Sequence, residues 1–186
     1  MRALMLILVC VLTLPSFGQA QSVAEPRSWT ATPFLNVTFG TSGDTSTSSL
    51  GLGGAFSYDW TSNLGFEGEI GRVFDIQGDS DNIDWSLTTF GANVVYHFDV
   101  RRVTPYATAG LGWQRSGVDA NPPDPAQNTI PTAGADTEVM FNFGGGVKYR
   151  LSSNMLARGD LRRFQVNDLS PDHWRLYGGI TFVLRR

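Results

Sequence analysis

The residues best suited to chemistry are a few carboxylates, two histidines and a scatter of cations. Glu67 and Glu69 stand one residue apart in "NLGFEGEIGRVF" (63–74), which puts both on the same side of a strand. Two carboxylates on one face could do acid–base work, one giving a proton and the other taking one. His173 follows Ser170 and Asp172, the residue types of an acyl-transfer nucleophile, its base and a supporting acid. The stretch 75–84, "DIQGDSDNID", holds four aspartates. Its Asp79-Ser80-Asp81 starts like a calcium loop, but the turn glycine and bidentate glutamate do not follow. No phosphate-binding loop, zinc spacing or dinucleotide fingerprint occurs, so neither a metal nor a cofactor is expected.

Which chemistry is open depends on the elements that hold these groups. The chain has 186 residues, enough for one domain. Charged residues make up 17%, low for a water-soluble globule, and the formal charge of -3 leaves no electrostatic footprint for nucleic acid. Residues 1–20 read as a secretory signal, with Arg2, the apolar run "ALMLILVCVLTL" and small Gly18 and Ala20 before the expected cleavage point. The run is too short for a membrane-spanning helix, and Cys10 lies inside it, so the exported chain has no disulfide. Residues 21–27 form a short N-terminal segment and 28–186 the domain proper.

From Trp29 onward the sequence alternates with period two in eight segments, each with one apolar parity. Leu35 and Val37 oppose Asn36 and Thr38, Leu111 and Trp113 oppose Gly110 and Gly112, and Ile180 and Phe182 oppose Gly179 and Thr181. The fourth segment, near 85–98, is irregular in its first half, where a bulge is expected. Connections alternate long (40–48, 75–84, 115–137, 165–173) and short (61–63, 99–102, 151–154). Eight strands of about ten residues, with short turns at one end and long loops at the other, fit an antiparallel up-and-down transmembrane β-barrel.

A soluble, lipocalin-like barrel binding a small apolar ligand shares the strand pattern but turns its apolar parity inward. The polar parity here is rich in Gly, Ser, Thr and Asn, and its long members carry both signs: Glu67, Glu69, Lys148, Arg158, Asp160, Arg162 and Arg175. That composition suits a narrow lumen closed by ion pairs, with the pairing left open. The apolar parity carries Trp29, Tyr58, Trp60, Phe66, Tyr96, Phe98 and Tyr149 near one end. Phe39, Phe74, Trp113, Phe141 and Trp174 lie near the other, as two membrane interfaces would require. Arg72 and Arg163 break the apolar parity near the long loops, where an arginine costs only about 0–1 kcal/mol instead of ~2–4 at midplane. Both are candidates to meet lipopolysaccharide phosphates.

The pieces "GFEGEIGR", "TPYATAGLGW", "FNFGGGVKYRL" and "YGGITFVL", taken in order, resemble the small eight-stranded outer-membrane barrel family of the OmpA transmembrane domain, OmpX and opacity-type proteins. The resemblance covers nearly all of 28–184 and implies an outer-membrane location. It also implies an assembly signal at Tyr177, Gly179, Phe182 and Leu184 read by barrel-assembly machinery. The chain departs from the family signal in having Arg185-Arg186 where an aromatic is usual, and no peptidoglycan-binding domain is expected. A filled lumen leaves no room for substrate, so the expectation is a non-enzymatic monomer acting in envelope integrity or in surface interaction through its long loops. A soluble ligand-binding barrel and a lipid-A-modifying barrel enzyme stand as the alternatives.

Overall fold

A computed structural model of the chain describes residues 26–40, 48–73, 83–98, 103–120, 136–166 and 172–185. The expected signal segment, Phe74, Asp79, Asp81 and Ser170 lie outside them. Eight strands follow one another: β1 (Ser28–Phe39), β2 (Ser49–Asp59), β3 (Leu64–Val73), β4 (Ile83–His97), β5 (Val103–Ala120), β6 (Asp136–Arg150), β7 (Met155–Val166) and β8 (His173–Arg185). Each pairs antiparallel with the next, and β8 returns to β1 to close the barrel. Closure leaves no open sheet edge, so the strands' backbone groups can be satisfied without water.

The parity read from sequence separates the two surfaces. Along β3, Gly65, Glu67, Glu69 and Gly71 are buried while Phe66, Ile70 and Arg72 are exposed. Leu35, Leu50, Leu111 and Trp113 are all more than half exposed, whereas Asn36, Thr89, Asn142, Arg162 and Arg175 are at or below 1%. Such an inside-out distribution would be ruinous in water and is the stable one in lipid, which rules out the soluble reading. At the short-turn end Trp29 packs against Phe56 and Tyr58, Trp60 against Phe66, and Tyr96 against Phe98, all on the outer wall.

An eight-stranded barrel is just wide enough for its own side chains. Here Phe34, Ala55, Met140, Phe164 and Tyr177 form an apolar cluster inside, and glycines opposite them make the space. A Cβ on Gly53 would collide with the Ile70 carbonyl oxygen and stand 2.6 Å from Phe34 Cζ, so the neighbouring strand and the ring together restrict that position to glycine.

Two expectations are corrected. No bulge interrupts β4, whose ladders to β3 and β5 run without a register shift; the shift found lies between Trp29 and Thr30 at the β1–β8 seam. The connections expected at 115–137 and 165–173 are also shorter than expected, while 40–48 stands as expected. β5 continues through Ala120 and β6 begins at Asp136, while β7 reaches Val166. Beyond the lipid band a hairpin keeps its backbone ladder but no longer needs an apolar parity, so "RSGVDA" carries no alternation and still forms strand.

Candidate functional site

β3 and β7 stand four strands apart in an eight-strand ring, on opposite sides of the lumen. Glu67 and Glu69 from β3 therefore meet Arg158, Asp160 and Arg162 from β7 across the full width of the barrel. Arg158 forks onto Glu67, with Nη1 on Oε2 and Nη2 3.1 Å from Oε1, while its Nε donates to Asp160 Oδ2 at 3.0 Å. Arg162 reaches both glutamates: Nη1 donates to Glu69 Oε2 at 2.7 Å and Nη2 to Glu67 Oε1 at 3.0 Å. Its Nε turns back to Asp160 Oδ1 at 3.1 Å. Two planar guanidinium forks thus bind three carboxylates, the geometry for which arginine rather than lysine is suited.

Neutral groups from the other strands take up the remaining lone pairs. Ser57 of β2 donates to Glu67 Oε2 at 3.0 Å, and Tyr177 of β8 to Glu69 Oε1 at 3.2 Å. Tyr106 of β5 donates to Asp160 and accepts from Arg158 Nε at 2.8 Å. Asn93 of β4 donates to Glu69 Oε2 at 3.3 Å and accepts from Asn142 of β6 at 2.9 Å. β1 joins through Phe34, whose ring meets Tyr177 edge-on at 5.0 Å. Every strand contributes, so the network ties the wall together as well as filling it.

Two further layers flank this centre. Towards the short turns, Lys148 Nζ donates to His97 Nε2 at 2.9 Å, and His97 Nδ1 stands 3.9 Å from Asp59 Oδ1. Towards the long loops, Arg175 donates to the hydroxyls of Thr38 and Thr89, each at 3.2 Å, and lies 4.4 Å over the Phe164 ring. Among the described residues the buried charges are four carboxylates (Asp59, Glu67, Glu69, Asp160) and four cations (Lys148, Arg158, Arg162, Arg175). Opposite signs in equal number are what permit charges to be buried at all.

The arrangement leaves little chemistry open to the carboxylate pair. A gap among Glu69, Arg158, Arg162 and Tyr177 measures about 10 Å³, room for roughly one water and no substrate. His173 faces the lumen and stacks on Phe164 at 5.1 Å, whereas Asp172 pairs with Arg163 at 3.0 Å. The histidine and acid of the acyl-transfer set therefore point to different partners. Among the described residues no cluster of His, Cys, Asp or Glu could hold a metal ion.

Of the outward cations, Arg72 is exposed on β3, and Arg163 lies 5.5 Å over the Trp174 ring beside its Asp172 partner. The residues expected to form an assembly signal split by parity: Tyr177 and Gly179 face inward, Phe182 and Leu184 outward. Sequence reasoning passed over Tyr106, Asn93, Asn142, Asp59 and His97 as network members. A tyrosine on the polar parity of so narrow a barrel was the available sign, since its hydroxyl must find a partner inside.

An exposed apolar wall, an aromatic end and a lumen closed by charge define a transmembrane β-barrel. The chain belongs to the outer membrane protein beta-barrel domain family, whose sequence profile matches residues 6–182, and it is an outer-membrane protein. Among solved structures it is similar to Neisserial surface protein A (NspA), with 19% identity and a TM-score of 0.66 over 90% of this chain and 100% of that one. It is similar too to the N-terminal β-barrel domain of Pseudomonas aeruginosa OprF, with 21% identity and a TM-score of 0.62 over 86% and 98%. Ail, the attachment invasion locus protein of Yersinia pestis, gives 14% and 0.57 over 85% and 99%. At these identities the likeness is one of fold. No curated protein sequence matches the chain.

Proposed function

We propose that this protein is a non-enzymatic, monomeric barrel that serves the envelope structurally and presents its long loops outward for surface interaction. The observation that carries this reading is the diagonal clamp of Glu67 and Glu69 on Arg158 and Arg162, which occupies the lumen that a porin would need for solute. Short turns face the periplasm and long loops the exterior, the arrangement usual for such barrels. Barrel-assembly machinery reading Tyr177, Gly179, Phe182 and Leu184, and lipopolysaccharide around the upper wall, are the proposed partners. A loop-borne role draws support from Ail, also solved with the heparin analogue sucrose octasulfate, and that support is by analogy of fold alone.

The test is planar-bilayer recording of the purified, refolded protein, together with lipid A mass spectra from cells with and without it. No stepwise conductance and an unchanged lipid A spectrum are expected. Steady porin-sized steps would overturn the closed lumen, and a lost or gained acyl chain would overturn the non-enzymatic reading.

A further inference from the structure

The lumen network makes no use of a second cation pair, on the lipid-facing wall. Pairing across β3, β4 and β5 sets Ile70 beside Phe90 and Phe90 beside Trp113 in one outward row. Two residues nearer the long loops, the next outward row is Arg72, Thr88 and Arg115, continued by Thr137 of β6. Arg72 and Arg115 are both exposed. Directly paired residues stand about 4.5–5.5 Å apart, so the two arginines leave the wall roughly 10 Å from one another with a threonine hydroxyl between them.

Below this row the outer wall carries a shallow, wide-open apolar groove over Gly54, Gly68 and Ala92, bordered by Phe56, Ile70, Phe90 and Trp113. The small residues are its floor: a Cβ on Gly68 would meet nothing within 4 Å. The Ile70, Phe90 and Trp113 row separates the groove floor from the two arginines, and apolar surface below with paired cations above matches one kind of molecule, a lipid with acyl chains below and phosphate above.

We propose that Arg72 and Arg115 hold the phosphates of an outer-leaflet glycolipid of lipid A type while one of its acyl chains lies in the groove beneath them. Guanidinium groups bind phosphate through paired, charge-assisted hydrogen bonds, and they do so best where water is scarce. The row lies at the long-loop end, so the inference rests on the outward orientation of those loops proposed above, which places it in the leaflet where lipid A resides. Arg163 belongs to no such pair. It sits on β7, across the barrel, with Asp172 beside it.

The test is native mass spectrometry of the full barrel in detergent, titrated with lipid A, its dephosphorylated form and phosphatidylglycerol. Lipid A should bind best. The double variant Arg72→Gln/Arg115→Gln should weaken that binding by about tenfold or more, the loss expected from removing charge-assisted bonds. Gly68→Leu, which fills the groove without straining the wall, should weaken it as well. Gly178→Leu, equally open on β8 outside the groove, should not, and heat-modifiable gel mobility checks that all variants fold. Wild-type affinity in both test variants would overturn the proposal. So would equal binding of phosphatidylglycerol and the dephosphorylated lipid, or a self-association that Gly68→Leu abolishes while lipid A binding stays unchanged. Loop accessibility to protease on intact cells separates a wrong orientation from a wrong ligand, and none of these readouts depends on conductance.

Discussion

Arg162→Met is expected to cost the folded barrel about 3–5 kcal/mol, the penalty for leaving buried charge uncompensated. Arg162 is at 1% exposure and touches all three central carboxylates, Glu67, Glu69 and Asp160. Without it, Arg158 alone would face three negative charges, and its fork reaches only Glu67 and Asp160. Glu69 would keep Asn93 and Tyr177 but no cation among the contacts seen here. Methionine would fill much of the space, so the effect isolates charge more than volume. Arg163→Met, which removes a partly exposed pair on the outer wall, should cost less than about 1 kcal/mol. Urea unfolding from lipid vesicles, followed by tryptophan fluorescence, measures both. Equal midpoints for the two variants would mean that the lumen network contributes nothing special to stability.

Gly146→Val should be of similar size and different cause. Gly146 lies between Tyr106 of β5 and Asp160 of β7 in the ladder, with its missing side chain directed into the lumen. A Cβ there would collide with Asp160 Cβ and the Gly159 carbonyl oxygen, and would come within 2.7 Å of Tyr106 Oη. Two of the three obstacles are backbone or close to it and cannot swing aside. The strands would have to part just where the Tyr106–Asp160–Arg158 bonds are made, so overpacking adds to lost hydrogen bonds, at about 3 kcal/mol or more. Gly159→Ala is the control, because its Cβ would find its nearest neighbour at an ordinary 3.7 Å. If the folded fraction after refolding is the same for Gly146→Val and Gly159→Ala, the lumen is roomier than described.

Much of this was legible in the sequence because lipid imposes a simple rule on strands. Phe66 and Ile70 must face out, so Glu67 and Glu69 must face in, and period two fixes the strand residues within the lipid band in the same way. Cation and carboxylate candidates for the lumen could be named for that reason. Their pairing could not, since parity says which side a residue faces but not its height or angle around the ring. That Glu67 takes Arg158 while Arg162 bridges both glutamates depends on the stagger of β3 against β7, which is set by register through the whole wall. Arg115 was hidden for another reason. It lies where β5 leaves the lipid band, apolar alternation stops there, and the segment looked like loop although its ladder to Thr88 continues. Polar aromatics such as Tyr106 were passed over because their ring suits either face and only the hydroxyl's partner reveals the inner one.

The sealed, charge-clamped lumen is best tested by the labelling rate of one inward cysteine. The single native cysteine, Cys10, lies in the expected signal segment, so Thr108→Cys places a thiol on the inner wall of β5, where Thr108 is 4% exposed. A small charged thiol reagent added to the barrel in vesicles should leave this cysteine unlabelled until denaturant is added, while Ser153→Cys on an exposed short turn reacts at once. Labelling of Thr108→Cys in the folded barrel at a rate near that of Ser153→Cys would show a water-filled lumen and contradict the clamp.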